Sequence, residues 1–158
     1  MSNFYRSTAD EELRDRVSLG YAVGQTFLGT VANPLNFVLF NAAGGSKLIV
    51  LQEWIVSTAA VNSVTMFAVN ANPALAAGNT PQNRLIGGAA SFASWQAAVA
   101  AAPATIGVLG AMELAAGIPF ELIYDEEYLI PNGAGILVQF PALAGNVFCH
   151  LAWYELPV

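Results

Sequence analysis

The sequence predicts an all-β protein: an antiparallel β-sandwich, a jelly roll of about eight strands, behind an N-terminal arm that contains a short helix. Three observations lead there. Extended runs rich in Val, Ile, Phe and Trp recur with a cluster of Gly, Pro, Asn or Asp about every ten residues. No alternation of strand with helix is present, as a parallel α/β sheet requires, and no repeat of fixed period. The 158 residues, of which 56% are hydrophobic, make one domain of ordinary size with enough apolar surface for a core.

The arm is assigned to residues 1–31 and the jelly-roll domain to 32–158. Thr8 and Glu11 have the spacing of a capping box, and Asp10, Glu11 and Glu12 crowd a first turn where the helix dipole favours anions, so a short helix is expected over residues 9–17. Its apolar anchors are Leu13 and Val17, too few to bury a face alone, which predicts either a mobile arm or docking on a neighbouring chain. From Val17 onward the period is that of extended chain.

Residues 35–40 (LNFVLF) read as a strand, 41–46 (NAAGGS) as a Gly-rich turn, and 47–57 (KLIVLQEWIVS) as a long strand. Strict alternation on that long strand puts Leu48, Val50, Trp54 and Val56 on one face and Ile49, Leu51 and Ile55 on the other. Apart from Gln52 and Glu53 it is apolar on both sides, which predicts cover by a second sheet or another subunit. Residues 61–71 form the next strand and 74–88 a loop. In 89–102, Phe92, Trp95 and Val99 fall at i, i+3 and i+7 among alanines, so a short helix ending before Pro103 is expected, with an extended loop as the alternative. Strand signals resume over 105–115, 118–124, 136–140 and 146–156.

Charge is scarce and uneven. Charged residues are 10% of the chain against about 25% in an average soluble protein. Seven of the sixteen lie in the first sixteen residues, and no Lys or Arg follows Arg84. Net charge is −6 and the isoelectric point about 4.4, which leaves no basic stripe for nucleic acid. A mean hydropathy of +0.54 excludes a disordered chain. Residues 97–112 lack charge but are built of Ala and Gly, are broken by Pro103 and have no cationic flank, so no membrane span is expected. A single cysteine, Cys149, forbids an intrachain disulfide and fits synthesis in a reducing cytoplasm.

Catalytic groups are equally sparse. His150 is the sole histidine, and its neighbour Cys149 points to the opposite face of the same strand, so the two cannot act as nucleophile and base. Cys149 reads as a small buried hydrophobe and His150 as a donor to a core or interface partner. Asp125, Glu126 and Glu127, near Glu121, lack the alternating pattern of a calcium loop and read as a solvated turn, with contact to Lys or Arg of another chain as the alternative. Gly44-Gly45-Ser46-Lys47 has the wrong order for a phosphate loop and opens a strand. No enzyme, cofactor or metal is expected. The abundance of Gly (14) and Ala instead suits flat, closely mating surfaces.

Residues 41–47 followed by a long hydrophobic strand, with 130–136 (IPNGAGI) leading to a terminal strand that ends in 153–157 (WYELP), resemble trimeric jelly-roll virion proteins of tailed bacteriophages. The likeness is to head decoration or cement proteins, and more distantly to tumour-necrosis-factor-like and complement-C1q-like trimers. That resemblance implies a homotrimer on the outer surface of a phage head that ties major capsid protein subunits together. A tail or fibre module that recognises a surface glycan or protein is the alternative. Candidate interface residues are Leu13, Val17, Trp54, Phe92, Trp95, Phe148, Trp153 and Tyr154.

Overall fold

The computed structural model describes residues 20–29, 35–42, 44, 47–72, 81–84, 87–96, 102–123, 128–141 and 145–157. Among them there is no helix. The elements are β1 (Gly20–Gly29), β2 (Leu35–Asn41), β3 (Lys47–Thr58), β4 (Asn62–Val69), β5 (Gln82–Asn83), β6 (Ala93–Gln96), β7 (Thr105–Leu114), β8 (Phe120–Ile123), β9 (Leu129–Ile130), β10 (Gly135–Phe140) and β11 (Gly145–Pro157). The predicted capping helix at 9–17, with Leu13 and Val17, lies outside the described residues.

Two antiparallel sheets pack face to face. One has the order β5-β1-β11-β3-β8, with β9 also on β3; the other has the order β6-β2-β10-β4-β7. The pairing is nested: β1 with β11, β2 with β10, β3 with β8 and β9, and β4 with β7. A chain folded into one long hairpin and then rolled up gives this order, and it makes the protein a jelly roll, as the turn rhythm predicts. Eight ladder positions are filled, the sixth by the broken strand β8–β9, and the short β5 and β6 extend one edge.

Three sequence-based expectations are corrected. β1 falls inside the span assigned to the arm, yet it pairs with β11 over its whole length from Gly20↔Tyr154 to Gly29↔Gly145 and buries Tyr21 and Val23 in the core. The sandwich therefore begins by residue 20. The helix expected over 89–102 is replaced, where described, by β6: residues 93–96 pair with Asn41–Val38 of β2, and the ladder bonds outweigh alanine's helical preference. Finally, the two-faced reading of residues 47–57 fails at Gln52. The register with β11 passes from Glu53↔Ala152 to Leu51↔Trp153, leaving Gln52 as a β-bulge. The extra residue flips the phase, so Ile49, Leu51, Trp54 and Val56 all enter one core.

That core also takes Phe37, Leu39, Met66, Ile136, Val138, Phe140, Leu151 and Trp153 from both sheets. Phe37 is its aromatic hub, with Trp95 stacked at 5.7 Å and Phe140 edge-on at 5.9 Å. A second cluster, Val38, Phe40, Val69 and Leu137 with Phe67, is buried on the outer face of the β2–β10–β4 sheet.

The two turn segments that carried the resemblance meet in space. Asn41, only 1% exposed, donates through Nδ2 to the carbonyls of Lys47 and Ile130, both at 2.9 Å. Its backbone exchanges bonds with Ala134 O and Gly133 N at 2.9 Å. Ala134 N closes a turn on Pro131 O, and Gly133 takes the φ of 77° that the third position of a type II turn demands. A strand ending in Asn and the Pro-Asn-Gly-Ala turn thus form one clasp at one end of the sandwich.

Candidate interaction surface

The reactive side chains are separated by the sheet. Cys149 points into the core and is fully buried, and this burial pushes its thiol far above the ordinary range, holding it neutral and inert. His150, on the outer face, sets Nε2 3.3 Å from Glu53 Oε2 and stacks on Phe148 at 6.5 Å. Gly24 lies opposite in β1, where a Cβ would come within 3.2 Å of the imidazole. Among the described residues no group of three His, Cys, Asp or Glu side chains is arranged to hold a metal ion. No described helix is long and apolar enough to cross a membrane.

A buried carboxylate that the sequence reading passed over organises one corner. Glu155, 1% exposed at the end of β11, accepts from Phe92 N at 3.0 Å, Ala93 N at 3.3 Å, Trp153 Nε1 at 3.3 Å and the Ser91 hydroxyl. Its oxygens replace water for a whole loop of donors, which is how a charge becomes tolerable inside. Burial, and then the negative charge of Glu155, raise the phenol pKa of nearby Tyr21. The signal available in the sequence was a lone acid within an otherwise apolar terminal strand.

This clamp holds residue 92 so that its ring faces outward. Phe92 is 54% exposed, with Lys47 Nζ 5.8 Å from the ring centroid, a cation–π contact. Arg84, following β5 and bonded through its backbone N to Gly20 O, is exposed at the same edge.

The opposite edge is apolar. Among the described residues β7 pairs only with β4, and Thr105, Ile106, Gly107 and Val108 are all exposed. Across from it, β8 and β9 expose Phe120, Ile123 and Leu129, and the turn between β7 and β8 exposes Ile118. Ile123 is 77% exposed. Between β7 and β9 opens a cleft of about 260 Å³, lined by Ile106, Leu109, Tyr128, Leu129, Pro131 and Ile136 among others. Tyr128 spans its floor, donating its hydroxyl to Leu109 O at 3.1 Å. The described charged groups at this edge, Glu113 and Glu121, are both acidic and exposed. Residues 124–127, with the Asp125-Glu126-Glu127 cluster, lie outside the described residues.

Of the eight candidate interface residues, the structure brings forward few. Trp54 and Trp153 are fully buried between the sheets and Trp95 is 4% exposed, so all three tryptophans are anchors of the chain's own core rather than contacts for a partner. Their size and apolarity are the same whether they face a second sheet or a second subunit, so residue type could not separate the two. Phe148 and Tyr154 are half-buried on the outer face of the β1–β11–β3 sheet, and Phe92 is exposed. The surface residues missed are Ile106, Val108, Ile118, Ile123 and Leu129. The pattern that could have found them is an apolar strand, 105–114, placed next to a chain reversal with no Lys to guard it.

The fold and these two edges define a jelly-roll protein with an exposed apolar edge and an aromatic ring presented beside a lysine. Comparison of the chain with family models, with curated proteins and with solved structures finds no match.

Proposed function

We propose that the protein is a structural, self-associating module: a capsid decoration or cement trimer that binds the outside of a phage head and stabilises contacts between major capsid subunits. The observation that carries the self-associating part is the bare β7/β8 edge, where six large apolar side chains are exposed beside a cleft and the described charges are carboxylates alone. An exposed apolar edge strand is an aggregation hazard in a free monomer, and burial in a closed assembly removes the hazard. The phage-head assignment comes from the turn and strand-end resemblance in residues 41–47 and 130–157. Rigid β-sheets rich in small residues suit such work, since little side-chain entropy is lost on contact. The glycan-binding alternative is weakened by the tryptophans, none of which is free to stack on a sugar.

The test is the mass of the full chain in solution by light scattering, followed by co-sedimentation with heads stripped of surface proteins. A trimer that pellets with the heads is expected. A well-dispersed monomer at high concentration overturns the assembly reading, and a trimer that ignores heads overturns the capsid assignment.

A further inference from the structure

The two edges of the sandwich are complementary to each other. The six apolar side chains of the β7/β8 edge expose on the order of 600 Å², the upper limit of the largest patch on a typical monomer. That is most of the ~800 Å² per partner that a standard stable interface buries. The edge carries Glu113 and Glu121. Of the Lys and Arg side chains of the described residues, Arg84 follows β5, and Lys47, which opens β3, sets its Nζ 5.8 Å from the ring of Phe92, the large exposed aromatic just before β6. An acidic apolar edge with a cleft thus has its counterpart in a basic corner with a projecting ring.

Shape agrees with charge. An apolar cavity of about 150 Å³ can take up benzene, so a cleft of about 260 Å³ has room for a phenyl group. Phe92 and the cleft lie at the same end of the sandwich, since the clasp residue Asn41 pairs with Ala93 in β6 and donates to Ile130 in the cleft wall. Phe92 is 54% exposed and is not among the residues that line the cleft, so the ring does not fill its own chain's cleft.

We propose that Phe92 of one copy seats in the β7–β9 cleft of a second copy, in a head-to-tail contact that brings Lys47 and Arg84 toward Glu113 and Glu121. The contact joins two different patches, so it is heterologous and repeats until a ring closes. This rests on the self-association reading above and adds to it which surfaces meet. Phe92 is the plug, held by the Glu155 clamp; Ile106 and Leu129 flank the socket.

The experiment uses two full-length variants at positions that are about half exposed, Phe92→Ala for the plug and Leu129→Asp for the socket. Circular dichroism and thermal melting confirm that both fold, and Ile106→Asp replaces Leu129→Asp if that variant does not. Wild type is expected as an oligomer by light scattering, and each variant alone as a monomer with self-association weakened at least tenfold. Their equimolar mixture is expected as a 1:1 heterodimer, because one intact plug then meets one intact socket. Variants that keep the wild-type mass overturn the proposed contact while leaving self-association standing. A mixture of monomeric variants that stays monomeric overturns the head-to-tail geometry. A monomeric wild type removes both this proposal and the reading beneath it.

Discussion

β10 and β7 belong to the same sheet, lie on either side of β4, and are similarly apolar, yet their environments are opposite. Every residue of β10 except half-buried Gln139 is buried, while the first four residues of β7 are exposed. Composition does not distinguish GILVQF from TIGVLGAM. Ladder position does: β10 has β2 and β4 as neighbours and apolar clusters on both its faces, whereas β7, among the described residues, has β4 alone. The lesson is that scarcity of charge is a property of the whole chain, but its consequences collect at one edge. Double-sided apolar strands in the middle of the sheet are already satisfied within a single copy, and what stays exposed is the edge.

That contrast can be tested by substitution. Leu137→Ala in β10 removes a fully buried side chain from the outer-face cluster and is expected to cost about 2–5 kcal/mol of unfolding free energy, read from a denaturant titration. A loss below 1 kcal/mol would show the outer face to be loosely covered. Gly135→Ala, at the start of the same strand, is expected to cost about 1–3 kcal/mol. Its Cβ would stand 2.5 Å from Leu39 O and 2.8 Å from Phe40 Cδ2, and the carbonyl belongs to a paired strand that cannot withdraw cheaply. A melting temperature equal to wild type would mean that β2 and β10 yield at this point. The smallest effect is expected at the edge: Val108→Ser, at 64% exposure, should change folding stability by no more than about 0.5 kcal/mol. The same substitution should weaken self-association, and a large loss of fold stability would place Val108 in a core after all.

Much of the architecture was legible because strand ends are marked by local chemistry. Asn41 with the glycines after it, Pro131-Asn132-Gly133 and Gly145 impose turns through their own backbone preferences, so the spans predicted at 35–40, 105–115, 136–140 and 146–156 fall within a residue or two of β2, β7, β10 and β11. The bulge at Gln52 was hidden, since it exists only in the register against Ala152 and Trp153 of a strand about a hundred residues away. β6 was hidden as well. Phe92 and Trp95 have helical spacing, but Glu155 captures the backbone N–H groups of residues 92 and 93, and β2 supplies ladder partners, so the segment is drawn out straight. The acceptor that decides this comes from the far end of the chain.

The same division runs through the interaction surface. Spacing of turns and alternation of apolar residues were sufficient to specify a jelly roll, and the distribution of charge was sufficient to predict that the body of the chain would lack an ordinary polar coat. Which apolar residues stay outside was settled by the rolling of the hairpin, because that step alone decides whether a strand finds two neighbours or one. Trp54, Trp95 and Trp153 went in and Ile106, Val108 and Leu129 stayed out. Hydrophobicity is a transfer preference with no direction in it, and direction comes from the ladder.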